Sequence, residues 1–168
     1  MWRFVFHKGF RFLAMTVTSD FLSEPVTVRT IALEDAATVA ELSEQLGYPA
    51  SVTEMTLRIK AMLARTEDQI AVVACLGDEV VGWIEASIVY HLQSAPYALI
   101  GGLVVKDGVR SLGVGRRLCA EIEAWSRGKG VGVLRVTSRT TREDAHRFYL
   151  RDGFRQTKTS AVFEKVLS

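Results

Sequence analysis

Cysteine is scarce: Cys75 and Cys119 are the only two. One falls in an apolar, strand-like run and the other in a helical stretch. No Cys-x-x-Cys and no histidine at ligand spacing accompanies them. A disulfide framework is excluded, no metal site is expected, and both read as small buried hydrophobes in a reducing cytoplasm. Charge of one sign is also lacking. With 21 Lys and Arg against 19 Asp and Glu, the net charge is +2. No dense basic run is present, so nucleic acid is not an expected partner. No apolar run is long enough to span a bilayer, and no membrane role is expected. Internal repeats and low-complexity segments are missing too. What is there, 168 residues with 48% hydrophobic and 24% charged, suits one globular domain with a real core.

Residues 1–25 differ in texture. Met1-Trp-Arg-Phe-Val-Phe-His-Lys mixes aromatics with cations and has no unbroken apolar core, which makes a poor secretory signal. The segment reads as a poorly ordered extension, with Met15 as an alternative start, or else as an aromatic-basic arm for a partner or a membrane surface. The domain itself is expected over 26–168.

Within it, Val26–Ile31 alternates as a first strand. Leu33-Glu-Asp opens a helix whose apolar face is Val39, Leu42 and Leu46, ended by Gly47. Thr53 is placed to cap a second helix carrying Met55, Ile59, Met62 and Leu63. Ile70–Leu76 and Glu79–Tyr90, joined by Gly77-Asp78, form a hairpin pattern. A loop is expected over His91–Pro96, then a central strand from Tyr97 to Val105. Val114, Leu118, Ile122 and Trp125 recur at helical spacing. Past Gly128-Lys-Gly130, Val131–Val136 reads as a buried strand parallel to the central one, because a helix makes the crossover. Thr141–Asp144 is set to cap a short helix with Ala145, Phe148 and Tyr149 inward, closed by Gly153. Phe154–Thr157 and Ala161–Val166 suit a last antiparallel pair.

The chemistry concentrates where the central strand turns into the long helix. Leu103, Val104 and Val105 end the strand; Arg110-Ser111-Leu112-Gly113-Val114-Gly115-Arg116 opens the helix. Glycines there let several N–H groups converge just outside a helix N-terminus, where the dipole favours an anion, and Arg110 and Arg116 add positive charge. The reading is a phosphate site. Glycines in a strand-to-helix turn also serve merely to make the turn. The stretch lacks the Lys-Ser/Thr of a nucleotide P-loop and the third glycine of a dinucleotide fold.

The pattern Arg-x-x-Gly-x-Gly after a Leu-x-Val strand end resembles the acetyl-CoA pyrophosphate loop of the GNAT N-acetyltransferase superfamily. Ala145-His-Arg-Phe-Tyr149-Leu-Arg-Asp-Gly-Phe154 resembles that family's closing signature, in the same order and separation. The acidic helix start and the Leu-Gly-Tyr-Pro loop resemble GNAT amino-terminal segments, where two helices border the acceptor site. The resemblance implies an α/β fold with a mixed, partly antiparallel sheet of about six to seven strands and about four helices. It implies a sheet splayed in the middle to hold acetyl-CoA as co-substrate, without a metal. Main-chain groups near Leu103, Val104 and Val105 would hold the pantetheine arm, and residues 110–116 the diphosphate.

By the same resemblance Tyr149 is the general acid. A phenol titrating near ~10 stays protonated at neutral pH and can protonate a thiolate leaving near ~8.5. A tyrosine there also serves as part of the helix's core face. The family's usual asparagine before this helix is absent: Thr140 is the positional match, and Arg142 could instead meet a phosphate. The general base has no obvious bearer, since Tyr97–Val105 contains no acid or histidine. Glu85, on the expected neighbouring strand, is the candidate; an alternating strand also places glutamates on exposed faces. His91 is a loop histidine that could reach the acceptor, and Gly101-Gly102 could make room for a substrate or a bulge. The function implied is direct acetyl transfer to a primary amine of a small molecule or protein, by a monomer or homodimer. The alternative is a non-catalytic acyl-CoA-binding or regulatory module, and a third reading is a phosphate site for another nucleotide.

Overall fold

The computed structural model describes residues 25–110 and 112–167. The N-terminal extension up to residue 24 and Ser111 lie outside them. The chain runs as β1 (Val26–Thr30), a single 3-10 turn at Leu33–Asp35, α1 (Ala36–Gln45), α2 (Val52–Leu63), β2 (Gln69–Leu76), β3 (Glu79–His91), β4 (Ser94–Val105), α3 (Val114–Gly128), β5 (Leu134–Val136) and α4 (Glu143–Arg151). The sheet order is β1-β2-β3-β4-β5. The first four strands form an antiparallel meander, and β5 lies parallel to β4 after the α3 crossover.

Helices cover both faces, which explains why β2 is apolar at nearly every position. Val72, Ala74 and Leu76 point with Val81 and Ile84 toward Val114, Leu118 and Ile122 of α3. Val73 and Cys75 point the other way, toward Val39 and Leu42 of α1 and Met55 and Ile59 of α2. Cys75 and Cys119 are both buried and unbridged. Gln45, at the end of α1, fastens that helix to the end of β4: its Nε2 donates to the Val105 carbonyl at 2.8 Å and its Oε1 accepts from Asp107 N–H at 3.0 Å. No helix among the described residues is long and apolar enough to cross a membrane.

Several local expectations change. Ser51, not Thr53, caps α2, in a reciprocal pair with Glu54. Arg142 stands at the N-cap of α4 without a side-chain cap. The expected loop at His91–Pro96 shrinks to a turn at Leu92-Gln93: His91 pairs with Ser94, and the register slips between Val89 and His91, so Ala95 and Pro96 oppose Tyr90. A bulge absorbs the missing proline donor. β5 begins at Leu134 rather than Val131, because Val131 N–H finishes α3 on the Ser126 carbonyl at 2.9 Å while its side chain packs with Ile88 and Ala98. The last antiparallel pair does not form, and among the described residues the sheet has five strands rather than six or seven. The β-branched and aromatic composition of Ala161–Val166 suits a pleated surface; it does not say which edge the segment reaches.

Candidate active site

Two consecutive glycines in β4 build one half of the site. Glu85 of β3 pairs with Gly102, but the next residue, Ala86, pairs with Ile100, so Gly101 is an extra residue bulged out of the ladder. A β-carbon on Gly101 would stand 2.8 Å from Glu85 Oε1, and one on Gly102 would lie 2.5 Å from the Trp83 ring. The glycines are present because Trp83 and Glu85, two residues apart and hence on one face of β3, occupy that space. Both line a cavity of about 260 Å³ between the sheet and the α1–α2 pair, with Met55 and Met62 below and the exposed Tyr48 and Arg58 at its side. Burial pushes the Glu85 carboxyl above the usual carboxylate range. Trp83 Nε1 is buried without a hydrogen-bond partner.

The bulge also marks where the sheet opens. β5 follows β4 only through Ala98, Leu99 and Ile100, whereas β3 follows it to Val105. Among the described residues, no strand lies beside the other edge of β4 from Gly101 to Val105. Lys106 N–H bonds to the Val81 carbonyl at 2.8 Å. By the alternation of an antiparallel ladder, Val104 therefore turns its main-chain groups to β3, while Leu103 N–H and C=O and Val105 N–H face the gap. Of the three residues the resemblance singled out, Val104 contributes a buried side chain instead.

At the end of β4 the chain enters α3 through Gly113, whose φ of +78° is the left-handed conformation. The first helical ladder bond is Arg117 N–H to the Gly113 carbonyl at 3.0 Å, so the amides of Val114, Gly115 and Arg116 have no intrahelical acceptor. Val114 is buried; Leu112 and Arg116 are exposed. Arg110 pairs with Asp107 at 2.7 Å, both well exposed. Gly115 touches α4: a β-carbon there would meet the Phe148 ring at 3.1 Å and Val105 Cγ2 at 3.8 Å. The strand end, the glycine turn and the Phe148-Tyr149 helix thus converge.

Tyr149 is half-buried between Phe148 and Phe154, with ring centroids at 5.3 and 5.4 Å in edge-on contact. Burial first, then the neighbouring Cys119, pushes its phenol up to about 12 against a smaller opposing effect of Arg142. Arg142 donates to the Leu46 carbonyl at 2.8 Å, tying α4 to the end of α1. Thr140 sits exposed in the preceding turn, whereas the Ser138 hydroxyl is buried without a partner. His91 lies at the β3–β4 tip against the Tyr97 hydroxyl at 3.1 Å. Burial pushes the Cys119 thiol up, so it holds its proton at neutral pH.

Sequence reading missed Trp83, Ser138 and Gln45. Trp83 had a signal, its i,i+2 relation to Glu85; the other two depend on contacts across the fold.

Residues 36–154 match the model of the acetyltransferase (GNAT) family. The aminoglycoside N(6′)-acetyltransferase type 1 of Stenotrophomonas maltophilia is 28% identical over 145 residues, 84% of this chain and 94% of that protein. The aminoalkylphosphonate N-acetyltransferase of Salmonella typhimurium is 38% identical over 80 residues, 47% of this chain and 52% of that protein. Among solved structures, AAC(6′)-Iy in complex with the bisubstrate analogue CoA-S-monomethyl-acetylneamine superposes with a TM-score of 0.75 at 18% identity, covering 85% of this chain and 99% of its own. That likeness is one of fold.

Proposed function

The chain belongs to the GNAT family of acetyltransferases, and from that premise we propose that it moves an acetyl group from acetyl-CoA directly to the primary amine of a small molecule. The observation that carries the reading is the bulge at Gly101, which opens the edge of β4 and sets Glu85 into the adjoining cavity. The residues fit the co-substrate. Amides of Val114, Gly115 and Arg116 without an intrahelical acceptor, reached through a left-handed Gly113, suit a diphosphate. Arg110, Leu112 and Arg116 flank that turn, and Ser111, outside the described residues, joins the proposed diphosphate site by its place in the sequence. Leu103 and Val105 offer main-chain groups to a pantetheine arm, and Thr140 or the unpartnered Ser138 supplies a side-chain hydroxyl.

Acetyl-CoA would bring the acyl group as a thioester. The chain's own groups handle protons and exclude water. An amine is mostly an ammonium ion at neutral pH and must lose a proton to become a nucleophile. Glu85, with its affinity for a proton raised by burial, is suited to accept it. Tyr149, held protonated across the neutral range, is suited to give a proton to a departing sulfur. Cys119, protonated inside α3, is a poor nucleophile, which supports direct transfer over a covalent intermediate.

A cavity enclosed by two helices and the sheet, with one raised carboxyl, favours a compact amine over a protein tail. The two relatives above are named for aminoglycosides and for aminoalkylphosphonates, and both classes belong in the test. It measures coenzyme A release from acetyl-CoA with a panel of aminoglycosides, aminoalkylphosphonates, amino acids and polyamines, alongside Tyr149→Phe. Amine-dependent release that Tyr149→Phe suppresses supports the proposal. Tight acetyl-CoA binding without release to any amine would instead support an acyl-CoA-binding module.

A further inference from the structure

Among the described residues, the wall of the cavity beside Glu85 carries two charged side chains, and they are of opposite sign. Glu85 stands half-buried against the Gly101 bulge, and Arg58 of α2 stands exposed at the side. The rest of the wall is apolar or neutral. Among the described residues no carboxylate is ion-paired with Arg58. Glu54, one turn earlier on α2, is engaged instead by the Ser51 N–H and hydroxyl, both at 2.8 Å. The Arg58 fork is thus free for a ligand oxygen.

Positive charge continues around that cavity. Arg139 lies over the ring of Tyr48, a wall residue, with Cζ 5.7 Å from the centroid and Nη2 3.5 Å from the hydroxyl. Arg142 donates to the carbonyl of Leu46, another wall residue. Neither arginine is ion-paired among the described residues. Three arginines therefore border a cavity that holds one carboxyl. Glu85 can answer one ammonium group; a second on the same ligand would meet cations, a repulsion that rejects polycations. A planar guanidinium matches two oxygens of a carboxylate or phosphonate. The volume of about 260 Å³ lies under the ~300–1,000 Å³ of pockets for drug-sized ligands, which sets a small molecule as the fit.

We propose that this cavity selects a compact amine that also carries an anionic group, with the amine end at Glu85 and the acid end at Arg58. Arg58 is then the residue that sets specificity, and Arg139 and Arg142 add to the field that favours the acid. That this ligand is the acetyl acceptor rests on the transfer reading above; the preference for an acid rests on the charges of the wall alone.

Three probes test this: 2-aminoethylphosphonate, ethanolamine, which keeps the amine and lacks the acid, and spermidine, a slender polycation. Each is titrated calorimetrically into the full chain and then offered as acceptor with acetyl-CoA. The phosphonate is expected to bind at least about tenfold tighter than ethanolamine, the scale of a hydrogen-bonded charge, and spermidine weakest of all. Arg58→Gln should bring the phosphonate and ethanolamine within about twofold of each other. Coenzyme A affinity, set at the glycine turn, and the melting temperature should hold, since Arg58 is exposed. Ethanolamine or spermidine binding as tightly as the phosphonate would overturn the proposal, as would a preference that survives Arg58→Gln or binding of none of the three. Acetyl transfer that ignores the acid would sink this preference and leave the transfer reading standing. Acid-dependent binding without transfer to any probe would uphold the preference and count against transfer.

Discussion

Gly115 in the first turn of α3 lies against the Phe148 ring of α4, so close that a β-carbon would stand 3.1 Å from two ring atoms. The glycine turn and the helix bearing Tyr149 are therefore one packed unit. Gly115→Ala obliges Phe148 to give by a few tenths of an ångström and carries Tyr149 with it. The expected result is a several-fold fall in kcat, below the ~10²-fold cost of a full ångström misplacement. Steady-state kinetics beside a thermal melt separates this from simple unfolding.

Gly113 allows a charge test at constant shape. Its φ of +78° is a conformation Asn and Asp tolerate better than other side chains, and nothing lies within 4 Å of a β-carbon there. Gly113→Asn is expected to bind coenzyme A within a few-fold of the parent. Gly113→Asp sets a like charge beside the proposed diphosphate and should lose at least about tenfold, since unit charges near a protein surface interact by ~1–4 kcal/mol at contact distances. Isothermal titration with coenzyme A reads both; equal affinities would remove the diphosphate from this turn.

Tyr149→Phe keeps the ring packing with Phe148 and Phe154 and deletes only the hydroxyl. kcat should fall by about 10²-fold or more with little change in KM, the range of a positioned general acid. The acid works in its protonated form, so activity is lost only as pH rises through its pKa. With the phenol pushed up to about 12, no falling limb from Tyr149 is expected at pH 8–9. A pH–rate profile whose alkaline limb there disappears in Tyr149→Phe would contradict that environment.

Glu85 is expected to oppose stability and activity. As a base it works ionised, so kcat/KM rises with pH through its raised pKa, and Glu85→Gln removes that limb together with about 10²-fold in rate. For stability the sign is reversed. A carboxyl whose folded pKa lies above its unfolded value of 4.5 favours folding below that value and loses this contribution as pH rises through the folded pKa. Glu85→Gln should therefore melt higher than the parent at neutral pH while acting more slowly. Gly101→Ala, whose methyl collides with Glu85 Oε1, should also lose activity but without the gain in stability.

Arg29 and Asp35 hold the start of α1 to β1 through two bonds of 2.7 Å, and the Asp35 carboxylate also accepts from Ala32 N–H at 2.8 Å. The Arg29 bond, then the Ala32 bond, holds the Asp35 carboxyl below its usual range. Its contribution is present above pH 3.8 and is lost as pH falls through the folded pKa. Asp35→Asn should cost about 1–2 kcal/mol near neutrality, at the lower end because Arg29 is nearly half exposed. Chemical denaturation at neutral pH and at pH 3 should show the gap closing.

The amino-acid order by itself determined most of the architecture. Period-two alternation marks β1, continuous apolar runs mark β2 and the end of β4, the apolar repeat Val114-Leu118-Ile122 marks α3, and a helix between two apolar strands forces β5 parallel to β4. The glycine turn and the Phe148-Tyr149 helix were legible because their residue types are dictated locally, by backbone conformation and by spacing. Only the tertiary structure decided which neighbours those elements meet. Glu85 was ambiguous between an exposed face and a site until the bulge at Gly101 placed it in a cavity. Trp83 gained a role only through the space Gly102 leaves, and Ser51 displaced Thr53 because Glu54 could answer it. The strand pattern of Ala161–Val166 found no edge within its own domain. Alternation and propensity are properties of a segment, whereas register, cavities and edges are properties of pairs of segments far apart in the chain, and their energies exist only once both are in place.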